Sequence, residues 1–383
     1  MKLKLSTGLL SLTAASLLTL AGTASAVAPI KMRWASDHSG PPHPAAIAEV
    51  YFAEKLEEKV PGSKVQIYWA KSLYTIPQGV KALTQGNLEM LTGQFGKTAS
   101  AEPYANVMLG AGKLTTPGAI GKIDTTLTFK AVADLMSKKH QITVLASGDM
   151  SMFMGIGGTK GRYVSPNDFK GSKVRSMGPA ENALLSSLGA NPQAMAFGDV
   201  PSALQTGVID GLLTSLGGFN AVKEQAPYFT VAGLNGLVGD YYWFGASQKW
   251  WNRLSKAQQA AVSEVFYNDF LPFQRAINFC ADQRIVKQFQ TTDKKAPGIY
   301  IMTPEEAAQI KSAEGGATNE WIRSKVDEKG AKLVNAFELE AAQLVAENPI
   351  GSSAVEKVDC SQFDKVFARY GKGGELTGKK ERK

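Results

Sequence analysis

Apolar and polar residues alternate along this chain with two periods, and the alternation is clearest between Val164 and Ser215. Three short apolar pieces, Lys173 to Ser176, Gln193 to Phe197 and Val208 to Leu213, are separated there by two stretches of helical spacing, Pro179 to Leu188 and Asp199 to Gln205. Extended runs interleaved with helical ones predict a βαβαβ unit. Asp168-Phe169-Lys170-Gly171 supplies the turn into the first strand. Asp199 stands where it would cap the second helix, with Pro201 early in its first turn.

The N-terminal third repeats the theme. Ile30 to Ala35 reads as a strand, and the loop SDHSGPPHP leads into a helix from Ala45 to Lys59, whose apolar Ile47, Val50, Tyr51 and Leu56 recur at helical spacing. Pro61-Gly62-Ser63 turns the chain into a strand from Lys64 to Trp69. A helix from Pro77 to Thr84 and a strand from Leu88 to Thr92 follow, an opening that suits a doubly wound α/β lobe. Phe129 to Ser137 predicts another helix and Ile142 to Ala146 another strand. Further on, Ser255-Lys-Ala-Gln258 is a capping box that starts a helical pattern reaching Phe289, with a kink expected at Pro272. Thr303-Pro304-Glu305-Glu306 is a second box. Ala307 to Ala346 reads as helix, broken near Gly315-Gly316 and at Gly330.

Composition narrows this picture. The chain has 383 residues, too many for one small core, so two domains are expected. Met1 to Ala26 joins Lys2 and Lys4 to a short apolar run and an Ala24-Ser25-Ala26 end, which predicts a secretory signal peptide rather than a membrane span. Removing that segment takes the net charge from +8 to +6 through the loss of its two lysines. The remaining charges are interspersed; their modest positive excess suits anionic solutes and is too small and too dispersed to argue for nucleic acid. The basic end, 370–383, reads as a flexible tail. Cys280 and Cys360 are the two cysteines; one disulfide and two buried thiols are both open, and neither spacing suggests a metal.

Few residues carry chemistry. Arg175 lies inside the strand-like KVRSM, where a guanidinium is buried only with a partner. Its planar fork suits a carboxylate, although a structural arginine is the plain alternative. Gly110-Ala-Gly112-Lys113 lacks the earlier glycine and following hydroxyl of a phosphate loop, and Gly155 to Lys160 fails the dinucleotide pattern. His38 and His43 share a proline-rich loop and read as a surface pair. No nucleophile elbow or zinc-protease motif occurs, so nothing supports catalysis. Tyr241-Tyr242-Trp243-Phe244 reads mainly as core, with Tyr241 or Tyr242 able to meet a cleft.

The wording of two segments, SPNDFKGSKVR and LGANPQAMAFGDVPSALQTGVIDG, resembles in order and spacing the signature of the solute receptors of tripartite ATP-independent periplasmic (TRAP) transporters. Leu83 to Met90 fits the same family. The resemblance implies an α/β, two-lobed periplasmic binding protein with the ligand cleft between lobes and a long helix spanning both. On that reading, 27–150 and 240–280 form the first lobe, and 151–239 and 281–369 the second. Ser147 to Gly158 and Gly233 to Ala246 would be the crossings between them. By resemblance Arg175 binds the solute carboxylate, Phe197 packs on the solute, and Thr214 fills a position that is often Asn. Gln94 stands near a place that is often acidic, and Ser36 or Asp37 should face the cleft. Some relatives carry a second arginine where Phe153 stands here. One arginine and an aromatic-Met wall would favour a monocarboxylate with an apolar or aromatic body over a polar diacid or sugar acid.

The implied function is a periplasmic receptor that delivers an organic acid to the small and large membrane subunits of a TRAP permease. No cofactor is expected; whether a metal ion bridges the carboxylate, as in some relatives, is left open. The alternatives are a receptor feeding a sensor kinase or an ATP-driven importer and, more remotely, a secreted enzyme acting on an acid.

Overall fold

The computed structural model describes residues 27–110, 114–149, 151, 154–232 and 241–370. The expected signal peptide, the tail beyond 370 and Phe153 fall outside them. Eleven strands are formed: β1 Lys31–Ser36, β2 Lys64–Tyr68, β3 Met90–Gln94, β4 Ile142–Asp149, β5 Met154–Gly158, β6 Lys173–Ser176, β7 Asn191–Ala194, β8 Gly211–Ser215, β9 Tyr228–Val231, β10 Tyr241–Ser247 and β11 Gly298–Ile301. They build two sheets, ordered β2-β1-β3-β10-β4 and β11-β9-β5-β8-β6-β7. In the first, β1 is parallel to β2 and β3, while β10 runs antiparallel to β3 and β4. In the second, β6 is parallel to β7 and β8, and β5 runs antiparallel to β8 and β9. The chain therefore leaves the first sheet after β4 and returns to it with β10, and each sheet receives one antiparallel strand by the exchange. The expected two-lobed α/β architecture is present.

The first lobe packs around a group of rings. Trp34 on β1 meets Phe52 at 5.3 Å and Phe270 at 5.5 Å, edge to face, and Phe244 meets Phe270 at 5.0 Å. Edge-to-face pairs of this kind add about 0.5–1.5 kcal/mol each beyond the area they bury. Phe52 comes from the helix Pro44–Lys59, which uses Ala45, Phe52 and Leu56 as its buried face. Helices 317–323 and 328–347 bring Ile322, Val334, Phe337 and Leu344 into this same core, whereas Ile310 of helix 304–314 joins the core of the second sheet.

Several local expectations change. The helical run is continuous from Lys256 to Phe289, but Val265–Phe270 is wound as a π-helix. Pro272 has no N–H and crowds the carbonyl four residues back, and the wider turn just before it accommodates both. Both capping boxes form as expected. Asp199 makes no side-chain cap to the helix Val200–Gln205, because its own backbone is already helical. Gly330 does not break its helix; Asp327 starts a new one by accepting from the Gly330 N–H at 2.9 Å.

Cys280 and Cys360 are joined in a disulfide with their Cα atoms 5.3 Å apart. The bond ties the long helix to the C-terminal segment across 80 residues of sequence. Closing a loop of that size is worth about 4 kcal/mol in the chain-entropy account.

Candidate ligand-binding site

Between the two sheets lies a cavity of about 140 Å³. Its second-lobe wall holds Arg175 from β6, Thr214 and Ser215 from β8, and Phe197. The first-lobe wall holds Gln94 at the end of β3, Tyr242 at the start of β10, and Asp37, His38 and His43 from the loop after β1. Met177 and Lys97 close its rim. A wider depression of about 460 Å³ shares Asp37, Lys97 and Met177 with it and opens outward past Trp321 and Lys325.

Arg175 is 3% exposed. Its Nε donates to the Met195 carbonyl at 3.1 Å and one Nη to the Leu213 carbonyl at 2.9 Å, and its Cζ lies 5.8 Å from the centre of the Phe197 ring. Carbonyl ends of two neighbouring segments thus fix the guanidinium plane, and a fixed plane loses little entropy when a carboxylate docks. Thr214 sits one strand away, and the backbone beside it must be bare. A Cβ at Gly218 would stand 2.1 Å from Thr214 Oγ1 and 3.2 Å from the Phe197 ring.

The opposite wall is more polar than the sequence suggested. Glu49 is fully buried, and its carboxylate accepts from Ser36 Oγ at 2.7 Å, Trp69 Nε1 at 2.7 Å, Thr92 Oγ1 at 2.9 Å and His38 Nδ1 at 3.1 Å. Thr92 in turn accepts from Trp34 Nε1 at 2.8 Å, so the aromatic core orients the network. His38 is 2% exposed; its Nε2 is buried without a hydrogen-bond partner, and its ring stacks on His43 with centroids 5.2 Å apart. Burial first, and then the neighbouring His38, pull the His43 imidazole down to about 3. His43 Nδ1 accepts from the Ala45 N–H at 3.2 Å, capping the helix that carries Glu49. Asp37 pairs through one oxygen with Lys97, and its other oxygen, Oδ1, is buried without a partner. Among the described residues no group of His, Cys, Asp or Glu is arranged to hold a metal ion.

Of the expected site residues, Arg175, Phe197, Thr214, Gln94 and Tyr242 line one cavity. Ser36 does not line it, but its hydroxyl holds Glu49 and His38 from behind. Tyr241 is buried on the other face of β10, as alternation along a strand requires. The surface reading of His38 and His43 is overturned, since both line the cavity. Sequence reasoning also missed Glu49. Its signal was present: Ala45, Glu49, Phe52 and Leu56 fall on one helical face, and an acid on a core face needs donors.

Two α/β lobes joined by crossing strands, with a small charged cavity between them, define a two-lobed solute-binding protein. The family model for bacterial extracellular solute-binding protein, family 7, matches residues 35–325, and the chain belongs to that family. Its members are solute receptors, not enzymes. The C4-dicarboxylate-binding periplasmic protein DctP of Rhodobacter capsulatus is 31% identical over 215 residues, which cover 52% of this chain and 60% of that protein. Among solved structures, a TRAP periplasmic solute binding protein from Ochrobactrum anthropi, its C-terminus bound in the ligand-binding pocket, matches with TM-score 0.71 and 20% identity over 84% of this chain and 97% of its own. The sugar acid binding protein from Advenella mimigardefordensis, in complex with galactonate, matches with TM-score 0.70 and 20% identity over 82% of this chain and 99% of its own. At these identities the two structures speak to the fold. No described helix is long and apolar enough to cross a membrane.

Proposed function

We propose that this chain is the periplasmic receptor of a TRAP transporter, that it captures an organic acid by its carboxylate on Arg175, and that it hands the acid to the small and large membrane subunits of the permease. The observation that carries the reading is the buried Arg175 guanidinium lining the cavity between the lobes, in a family of solute receptors. The relatives support the ligand class: one is named for C4-dicarboxylates and another holds galactonate.

Phe197, Met177 and Tyr242 would carry an apolar or aromatic body, and they support a monocarboxylate of that kind. A second reading rests on Asp37 Oδ1 and His38 Nε2, two buried polar atoms without partners beside the same cavity. Buried polar atoms are costly unless a ligand bonds them, which favours an acid that also carries a hydroxyl or second polar group. A thermal-shift screen of the mature protein across aromatic and aliphatic monocarboxylates, hydroxy and sugar acids, and dicarboxylates separates the two, because a ligand that binds only the folded form raises the melting temperature. Arg175→Ala should lose more than ~2 kcal/mol of binding for whichever acid gives the shift. Normal binding by that variant would remove Arg175 from the site.

A further inference from the structure

Glu49, His38 and His43 are built as a unit, and the unit has one loose end. Every group that contacts the Glu49 carboxylate can donate to it. Trp69 Nε1 is donor only, and Thr92 already accepts from Trp34 Nε1, so its own proton is available to Glu49. The Ser36 hydroxyl accepts from the His38 N–H at 3.2 Å and likewise turns its proton to Glu49. Three side chains other than His38 donate to these oxygens, as they would to an ionised carboxylate, and an acceptor of that kind 3.1 Å away favours the His38 tautomer with its proton on Nδ1. His43 accepts from the Ala45 N–H with Nδ1, and burial keeps it neutral. His38 Nε2 is then the one ring position of the pair whose protonation the protein leaves unassigned, and it is buried beside the cavity without a partner.

The charges around it give that position a use. The groups around His38 are Glu49 from the helix 44–59, Asp37 from the loop after β1 with its partner Lys97, the stacked His43, the Tyr242 ring from β10 at 4.8 Å, and, from the other wall of the cavity, Arg175. Among these described residues two carboxylates stand against two permanent cations. A carboxylate entering the cavity adds one negative charge that they do not balance.

We propose that His38 is a second ligand-contacting residue, which takes a proton from solvent onto Nε2 as an organic anion enters and donates that N–H to it. Glu49 stabilises the imidazolium that forms, as a buried carboxylate behind a histidine does elsewhere in protein chemistry. Capture of the anion is then capture of an anion and a proton together. Affinity is highest where the free ring is already protonated and falls as the pH rises above that point, with a limiting slope of about tenfold per pH unit for one proton. The inference rests on the receptor reading above, and its test separates the two.

The chain has only three histidines, so side-chain nitrogen spectra of the labelled full mature protein contain three rings, assigned with His38→Gln, His43→Gln and His140→Gln. Acetate, as a minimal carboxylate, and D-galactonate are the probes, titrated at several pH values. The expected result is that His38 moves from a single Nδ1–H form to the doubly protonated form on saturation, while His43 stays neutral. Calorimetry in two buffers of different ionisation heat should count close to one proton taken up, and His38→Gln should flatten the pH dependence. Binding that needs Arg175 but leaves the His38 ring unchanged overturns this inference and keeps the receptor reading. A pH slope that survives in His38→Gln also overturns it. No response of the His38 ring to either probe up to tens of millimolar counts against it in the same way, and the wild-type spectra decide the matter even if the variant folds poorly.

Discussion

Among the described residues of the second lobe two arginines are buried, Arg162 and Arg175, and they stand in different surroundings. Arg162 is 8% exposed and gives its guanidinium to four backbone carbonyls: Phe229 at 2.6 Å, Lys294 and Gly298 at 3.0 Å, and Ala296. The Tyr228 and Tyr300 rings lie 5.8 and 5.6 Å from its Cζ. It stitches β9, β11 and the loop before β11 together, and burial lowers its pKa from the ordinary arginine value. Arg175 bonds backbone carbonyls too, and it does so at a cavity wall. The same residue type, at similar burial, closes a sheet edge in one place and lines a cavity in the other. What differs is where the guanidinium sits, behind the strands at the sheet edge for Arg162 and at a cavity wall for Arg175.

The sharpest way to break this contrast is to remove the structural member. Arg162→Ala strips a bonded cation from four buried or half-buried carbonyls, and about 3–5 kcal/mol of stability should go with it. Denaturant melts would show a lower midpoint, while the folded fraction keeps its affinity for the acid found in the thermal-shift screen. If affinity fell and the midpoint held, the two arginines would not differ as described.

Arg175→Lys tests the other half more gently. Lysine keeps the charge but presents a point rather than a fork, and it cannot bond Met195 O, Leu213 O and a carboxylate in the same planar arrangement. Losing one charge-assisted bond to the acid should weaken binding by about 1.5 kcal/mol, near tenfold, and the two carbonyls that lose their donor should lower the melting temperature, by less than Arg162→Ala does with four. Calorimetry on the variant reads both. Full affinity in Arg175→Lys would mean that the positive charge alone matters and that the fork geometry does not.

The contrast also shows what the sequence could convey. The βαβαβ pattern was legible because it depends on periodicity and turn chemistry, which are local, whereas the two-lobed architecture was implied by the resemblance. Arg175 was legible because a guanidinium inside an apolar strand is conspicuous and the wording around it resembles a known signature. Arg162 drew no notice: its partners Phe229, Lys294 and Gly298 lie 67, 132 and 136 residues away, and backbone carbonyls leave no mark in a sequence. On the first-lobe wall Gln94, Tyr242 and Asp37 were expected, but the two histidines were misread for a different reason. His38 and His43 looked like loop residues because a proline-rich loop is normally solvated, whereas here Glu49 and the neighbouring lobe cover it. Long-range hydrogen bonds decided the first case, and burial against the facing residues decided the second.

The smallest expected effect settles what Phe197 does. Its ring stands 5.8 Å from Arg175 Cζ and is half-buried, with its remaining surface against the cluster around Val200. If the ring acts by holding the guanidinium, the attraction is worth about 0.5–1 kcal/mol, and Phe197→Leu, which keeps an apolar side chain but removes the π face, should weaken every acid two- to fivefold alike. If the ring instead packs on the solute, the loss should grow with the apolar area of the acid, near zero for a small hydroxy acid and largest for an aromatic one. Measuring one aromatic and one small polar acid on the same variant separates a positioning ring from a contact ring. A uniform loss would place Phe197 with the carbonyls of Met195 and Leu213, as part of the frame that aims Arg175.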